Sequence, residues 1–416
     1  MARFGDYVSY TSTQIKIEEE MMWKTEDGQI SSTVWKIALV VVAGFVVLIG
    51  VAATLVPAHA ETVQTKKGVK VQVEELVSGL NHPWGMAFLP DDRLLITERN
   101  TGNLYILDTG HNLSRPLEGA PEVWAHGQGG LMDVALDPDF EENSYIYLSY
   151  AKPGTFGKAA TALGRGKLAH GRIDNFQDIF VQEPYIRGPN HFGNRIAFSP
   201  DGRHLFLGLG ERFQFDPAQD LSNHLGKVIR IYPDGRVPED NPFAGQANAK
   251  HEIWSLGHRN IEAMAFQPET GTLWAGEMGP KGGDELNKIE KGANYGWPVV
   301  SWGDHYNGSR IPDPPTHPEF TDAVIHWTPV ISPSGMVFYQ GDMFPGWKNN
   351  ALIGGLTTGE LVRLIFDGTA VKEEDRLPLP GRVRDVDTGP DGAIYILTDQ
   401  DNGKLLRISP LGEIPE

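Results

Sequence analysis

No cysteine occurs in the 416 residues. That excludes disulfides, thiolate metal sites and a cysteine nucleophile at once. Basic residues are the minority, 36 against 54 acidic, giving a formal charge of −18. A nucleic-acid partner needs clustered Lys and Arg, so none is expected. The patterns G-x-x-x-x-G-K-[ST], H-E-x-x-H and G-x-S-x-G are also missing. Their absence counts against a P-loop nucleotide enzyme, a zincin and an α/β-hydrolase. What the chain does have is 48 glycines, 29 prolines and 40% hydrophobic residues. That is a turn-rich composition with enough apolar side chains for a large core, and it points to an all-β protein.

One long apolar run stands apart. Residues 37–56 (IALVVVAGFVVLIGVAATLV) carry no charge, follow Lys36 and precede Pro57-Ala58-His59-Ala60. Small residues at 58 and 60 make the A-x-A pattern of signal-peptidase sites. The run matches the ~20 residues of a membrane-spanning helix and exceeds the ~7–15 of a signal h-region. The sequence therefore predicts an N-terminal extension with a signal peptide or membrane anchor over 1–60 and a folded domain over 61–416. Cleavage is expected after Ala60, with a periplasmic or secreted product. An uncleaved leader would be the one link to a membrane.

The rest of the chain repeats one phrase six times. The copies are GMAFLPDDRLLITE from Gly85, DVALDPDFEENSYIYLSY from Asp133, RIAFSPDGRHLFLGLGE from Arg195, AMAFQPETGTLWAGEMG from Ala263, GMVFYQGDMFPGWKNNALIGG from Gly335 and DVDTGPDGAIYILTD from Asp385. Each is an alternating apolar segment, a turn built on Pro-Asp-Gly or its relatives, and a second apolar segment. That reads as a β-hairpin. The turns lie 48 to 72 residues apart, room for four strands and their loops. A four-stranded unit repeated radially is a propeller blade. The fold expected is all-β, a six-bladed β-propeller with four-stranded antiparallel blades.

Binding groups of a propeller come from loops beside the repeats. His191 lies in a Gly/Pro/Asn loop before a strand, and as a neutral imidazole it could accept a proton near pH 7. Glu211 follows the next hairpin and could orient it. Arg259 and Asn260 are adjacent donors suited to an oxygen gaining negative charge. Gln128 stands between glycines that let backbone approach a ligand. Arg382 and Arg384, two apart on a strand-like stretch, would share a face and suit a multiply anionic ligand. Gly279-Pro280, with Asp284 and Glu285 nearby, offers carbonyls and carboxylates to a hard cation such as calcium. Tyr295 and Trp327 offer aromatic surface. Each has a plain alternative: a loop histidine, an arginine tying blades together, a solvated strand face, a tryptophan in blade packing.

Taken together, the phrases NHPWGMAFLPD, GQGGLMDVALDPDF, HFGNRIAFSPDG, WSLGHRN, EMGPKGGDELN, GANYGWP and RVRDVDTGPDGAIYILTD resemble the soluble quinoprotein glucose/sorbosone dehydrogenase family, in its bacterial aldose sugar dehydrogenase branch. The resemblance spans residues 75–410. It implies a six-bladed propeller that binds pyrroloquinoline quinone (PQQ) with calcium and oxidises the anomeric carbon of aldoses to lactones. His191 would be the general base, with Glu211 beside it and Arg259 at the reacting oxygen. Gln128, Arg259, Asn260, Arg382 and Arg384 would hold the quinone, with Trp327 near it. The carbonyls of Gly279 and Pro280 would bind calcium, and Glu285 and Tyr295 match positions of a second calcium. Relatives carry a lysine after the IGGL phrase; here the residue is Thr357, so one cationic contact to the quinone is lost. The electron acceptor is unknown. Two other readings stay open: a non-redox propeller that has lost the quinone, and a calcium-dependent lactonase-type hydrolase.

Overall fold

The structure is a computed structural model that describes residues 60–412. Residues 1–59, with the 37–56 run, lie outside the described residues. Among the described residues no helix is long and apolar enough to cross a membrane.

Each of the six phrases forms the two inner strands of one blade. Blade one holds Pro83–Phe88, Leu94–Glu98 and Leu104–Leu107; blade three holds Gly193–Phe198, Leu205–Leu209, Lys227–Ile231 and Ile253–Leu256. Blades four (Ile261 to Trp327) and five (Pro333 to Pro378) also have four strands. The turn chemistry explains the hairpins. In Pro200-Asp201-Gly202, the Gly202 N–H donates to Ser199 O at 2.8 Å and Gly202 takes φ +70°, a left-handed value that glycine adopts without steric cost.

Four strands per blade is corrected for three of the six. Blade one has three, because the chain after Leu107 covers the edge with isolated bonds instead of a strand: Ser114 N–H to Ile106 O and Leu117 N–H to Leu104 O. Blade two has five, since Arg172–Val181 adds to the outer side of Lys158–Ala169. Blade six also has five. Its inner strands are C-terminal (Val383–Thr388, Ile394–Thr398, Gly403–Pro410), and its outer two, Lys70–Leu80 and Ala60–Gln64, are N-terminal. Pairing of Lys70–Leu80 with Gly403–Pro410 closes the ring.

Six hydrophobic clusters fill the six blade interfaces. Leu95 and Leu104 meet Leu148 between blades one and two; Trp274 meets Ile353 between four and five; Val73 and Ile408 meet Trp347 between five and six. Leu207, Phe206 and Ile96 belong to the other three. Each large side chain buried there contributes about 1.5–3 kcal/mol.

All six innermost strands carry a bulge just inside their first residue. A bulge re-aims the side chains next to it. Five of the first residues of the six phrases meet one another, Gly85, Asp133, Arg195, Gly335 and Asp385, while Ala263 lies in the cluster between blades four and five. Arg195 Nη1 lies 3.0 Å from both Asp133 Oδ1 and Asp385 Oδ1. A Cβ on Gly85 would meet Asp133 Oδ1 at 3.0 Å, and one on Gly335 would meet Asp385 Oδ1 at 2.0 Å. The two carboxylates fill the space that the glycines leave. Arg195 also lies 4.3 Å over the ring of Trp84, which is buried. Removing one partner of such a buried pair costs about 3–5 kcal/mol, because the other charge is stranded.

Candidate active site

Strand direction puts the candidate loops on one face. The loop before each innermost strand and the loop after each second strand emerge at the same end of a blade. Gln128, His191, Arg259, Asn260 and Arg382 lie in or beside the first kind of loop. Glu211, Gly279, Pro280 and Thr357 lie in the second.

His191 and Glu211 meet. His191 Nδ1 is 2.6 Å from Glu211 Oε1, and both side chains are buried. Glu211 Oε2 accepts two backbone N–H bonds, from Gln214 and from Phe215 at 2.8 Å. The carboxylate thus holds the proton on Nδ1 and leaves Nε2 as the acceptor nitrogen. Burial lowers the His191 pKa below its ordinary 6.5; the bond to Glu211 opposes the shift and the charge of Arg259 adds to it. His191 is therefore neutral at pH 7. Gln128 Oε1 accepts the His191 backbone N–H at 2.6 Å, which fixes a residue at φ +53°.

Arg259 stands beside this pair. Glu211 N–H donates to Arg259 O at 2.9 Å. The guanidinium donates through Nη1 to Met278 O at 2.7 Å and Gly279 O at 2.6 Å, and through Nη2 to the Tyr306 hydroxyl at 3.2 Å. It makes no ion pair with a carboxylate among the described residues, although it is buried. Its backbone N–H is held at 2.6 Å by Glu277 Oε2. Glu277 Oε1 in turn binds His258 Nδ1 at 3.0 Å, and His258 Nε2 binds Ser255 Oγ at 2.8 Å. His258 is thus a fully buried support for the Arg259 loop.

Asn260 works between loops. Its Oδ1 accepts Gly193 N–H at 3.0 Å and its Nδ2 donates to Glu262 Oε1 at 2.9 Å. Glu262 Oε2 pairs with Arg384 Nη1 at 2.7 Å, and Arg384 Nη2 pairs with Asp399 Oδ2 at 2.6 Å. Arg382 and Arg384, expected to share a face, both reach Asp399 Oδ2, but they differ in exposure. Arg384 sits at the bulge of its strand, buried between two carboxylates. Arg382 precedes the strand with its side chain 52% exposed, 3.9 Å from Asp399. Arg99 Nη2 reaches the same carboxylate at 3.6 Å, and His82 Nδ1 reaches it at 2.5 Å.

The segment expected to bind metal has its own frame. Asp284 Oδ1 accepts Gly279 N–H at 2.8 Å and Asp284 Oδ2 accepts Ser332 N–H at 2.6 Å. Ser332 Oγ binds the exposed Thr357 hydroxyl at 2.5 Å. Gly279, Glu285 and Tyr295 line one small cavity together with Arg259, Glu277 and Trp297; Pro280 is buried next to it. Asn287 Nδ2 donates to both Glu277 Oε1 and Glu285 Oε2, at 2.8 and 3.2 Å. Burial, then the Glu277 charge, holds Glu285 well above the usual carboxylate range. Among the described residues no three His, Asp or Glu side chains are grouped to hold a metal.

Trp327 is corrected. It lies in the outermost strand of blade four, inside the cluster between blades four and five, with its indole N–H donating to Glu374 Oε2 at 2.6 Å. Its side chain belongs to the blade wall.

Residues 80–407 match the family described as glucose/sorbosone dehydrogenase. The chain belongs to that family. Within the glucose/sorbosone dehydrogenases it is similar to the aldose sugar dehydrogenase YliI of Escherichia coli K12, 43% identical over 346 residues, covering 82% of this chain and 93% of that protein. The crystal structure of the soluble aldose sugar dehydrogenase from E. coli in its apo form superposes with a TM-score of 0.76 at 43% identity, covering 82% of this chain and all of that one. The PQQ-bound aldose sugar dehydrogenase of Streptomyces coelicolor gives a TM-score of 0.66 at 27% identity, covering 85% and 99%.

Sequence reasoning missed Glu262, Asp399, Arg99 and Glu277. One signal was available for the axis: the first letters of the six phrases, G, D, R, A, G and D, contain one cation between two anions.

Proposed function

We propose that this chain is an exported quinoprotein dehydrogenase that oxidises the anomeric carbon of aldose sugars to lactones, with His191 as general base. The observation that carries this reading is the 2.6 Å His191–Glu211 bond, set beside a buried Arg259 that has no carboxylate partner among the described residues. The family and the sugar dehydrogenases it resembles support the substrate class.

The donor set fits a planar polyanion. Arg259 Nε and Arg384 Nε are buried N–H donors with no acceptor among the described residues. Gln128, Arg259, Arg382 and Arg384 would hold the quinone. Arg384 brings direction more than charge, since Glu262 and Asp399 already neutralise it. Asn260 would act mainly by bracing Gly193 and Glu262. The carbonyl of Pro280 would hold calcium beside the quinone, joined by that of Gly279 once it gives up its bond from Arg259 Nη1, and Glu285 and Tyr295 would hold a second ion in the shared cavity. Bound there, pyrroloquinoline quinone supplies the two-electron oxidant for C1 and calcium the Lewis acid that polarises it.

The chain's own residues handle the proton. His191 Nε2 accepts it from the C1 hydroxyl, and Glu211 stabilises the imidazolium that results. Arg259 faces the sugar oxygen as negative charge grows on it. The buried setting of both groups keeps water from competing.

Export rests on the 37–56 run and the A-x-A pattern, and N-terminal sequencing of the mature protein tests it. The activity is tested by reconstituting the purified protein with PQQ and calcium and following dye reduction with a panel of aldoses. Sugar-dependent bleaching of the bound quinone is the expected result; no turnover with any aldose rejects the reading. Thr357 supports the rival non-redox propeller, and a protein that binds no quinone would favour it.

A further inference from the structure

Lys227 opens the strand Lys227–Ile231, opposite Leu256, and its side chain is fully buried. Its Nζ donates to three backbone carbonyls: Leu225 O at 2.6 Å, Pro217 O at 3.0 Å and Ala218 O at 3.0 Å. Among the described residues it makes no ion pair with a carboxylate. A neutral amine has two N–H donors and a lone pair, so only the ammonium satisfies all three carbonyls. Burying a charge without a counter-charge is costly, and an apolar side chain of the same length would avoid that cost. Burial accordingly pushes the Lys227 pKa down to about 7, with the charge of Asp220 opposing the shift.

The three carbonyls belong to the segment that supports the His191–Glu211 pair. Pro217 and Ala218 lie in the 3₁₀ turn Asp216–Gln219, which starts from Phe215: Ala218 N–H donates to Phe215 O at 3.0 Å. The N–H groups of Phe215 and Gln214 are the two that Glu211 Oε2 accepts. Ala218 O also takes the Gly257 N–H at 3.1 Å, and Gly226 O takes that of His258 at 3.1 Å. The same segment therefore sets the loop that carries Arg259. It is wedged in place. A Cβ on Gly226 would lie 2.2 Å from His258 O, 2.9 Å from Ala218 Cβ and 3.2 Å from Glu211 Cβ. The charged or titratable groups on the segments around Lys227 are Glu211, Arg212, Asp216, Asp220 and His224 on its own loop, and His258 and Arg259 on the next.

We propose that Lys227 is a positioning residue for the His191–Glu211 pair: its ammonium holds the turn that delivers two N–H groups to Glu211, and loss of its proton to solvent releases that turn and loosens the pair. The inference rests on the aldose dehydrogenase reading and adds an alkaline switch to it. As an ammonium, Lys227 keeps all three carbonyls, so Glu211 Oε2 stays occupied and Oε1 stays on His191 Nδ1. As an amine, it turns a lone pair toward one carbonyl and the turn loses a tether. Glu211 then loses its fixed orientation, and His191 loses the tautomer that leaves Nε2 free. Activity thus has an alkaline limb set by Lys227 as well as an acid limb set by His191.

The test uses the full chain, native and as Lys227→Met and Lys227→Ala. In protein without quinone, proton NMR follows the His191 Nδ1–H signal and 15N-lysine labelling follows the Lys227 ammonium. With PQQ and calcium added, dye-coupled glucose oxidation gives kcat and KM across neutral and alkaline pH. In the native protein kcat is expected to fall with the midpoint of the Lys227 titration, and the His191 signal to fade over the same range. Lys227→Met keeps the apolar stem without the charge; its kcat should drop about tenfold or more, with KM within about threefold and no alkaline limb. Propylamine replaces the atoms missing from Lys227→Ala and should restore both the His191 signal and kcat. A Lys227→Met protein with native kcat or an unchanged alkaline limb overturns the proposal, as does a Lys227 ammonium that stays protonated through the limb. If Lys227→Met folds poorly, the native titration decides. Absence of aldose turnover in the native protein rejects the dehydrogenase reading alone. In that case a His191 signal that follows the Lys227 titration still supports the positioning role, and one that ignores it overturns that role too.

Discussion

Glu211→Gln separates the role of charge at Glu211 from its role as a scaffold. The carboxylate is fully buried and makes three contacts: His191 Nδ1 through Oε1, and the N–H groups of Gln214 and Phe215 through Oε2. A glutamine at this position has one oxygen and one nitrogen to distribute. The two backbone N–H donors require the oxygen, so the amide NH2 must face His191. It then donates to Nδ1, and the imidazole carries its proton on Nε2, the nitrogen that has to accept one. Loss of a charge-assisted hydrogen bond is worth about 1.5–3 kcal/mol, a factor of roughly 10 to 200. The inverted tautomer adds to that; in a serine-protease triad the equivalent Asp-to-Asn change costs about 10⁴ in kcat. The expected loss in kcat is about 10³–10⁴ with quinone affinity retained. Glu211→Asp keeps the charge but shortens the reach, and should fall between Gln and the native protein. The assay is dye-coupled aldose oxidation, with the quinone absorbance titration as the check on folding. A kcat for Glu211→Gln within tenfold of native would refute the tautomer argument.

Other outcomes follow from the same geometry. His191→Ala should abolish turnover while the quinone still binds; near-native activity would show that another group is the base. Because burial lowers the His191 pKa, kcat/KM should stay level from pH 7 downward and decline only below pH 6.5, and a decline centred above that pH would contradict a neutral buried imidazole. Thr357→Lys should tighten quinone binding, read as a lower dissociation constant at low salt, and no change would mean that the side chain does not reach the anion. Asp387, pushed up to about 7 chiefly by burial and then by Asp385 and Asp133, gives a stability test. Its folded pKa lies above the unfolded value, so the folded state keeps a proton that the unfolded state loses, and stability falls as pH rises from about 4 to 7. Asp387→Asn should raise Tm at pH 8 and leave it nearly unchanged at pH 4; equal effects at both would remove the titration argument.

The inner hairpins were readable because two constraints act on them together: alternation to pack between neighbouring blades, and a turn sequence with a fixed geometry. Outer strands answer to fewer constraints. Leu104–Leu107 lacks an outer partner strand because the following residues, among them Pro116, meet its edge through single bonds, and no periodicity announces that. The pairing of His191 with Glu211 was legible from a loop and a hairpin of known length. The fate of Arg384 was not, because its partners Glu262 and Asp399 come from blades four and six and meet it through bulges that alternation conceals. Trp327 illustrates the opposite error: a tryptophan near an interesting loop is still more useful to a blade interface.

Closure by blade six has a consequence for how the ring is made. The strands at 60–64 and 70–80 leave the ribosome long before 383–410, and their partners on the inner side are among the last residues synthesised. Until the ring closes, apolar flanks face water, Leu80 and Met86 first and Leu397 and Leu405 once they are made. Such distant pairing makes for slow folding and a long window for aggregation. A chain carried across a membrane from its N-terminus would meet that window outside, with every blade but one already threaded. Loss of the last dozen residues would leave five blades intact in sequence and none of them in a closed circle.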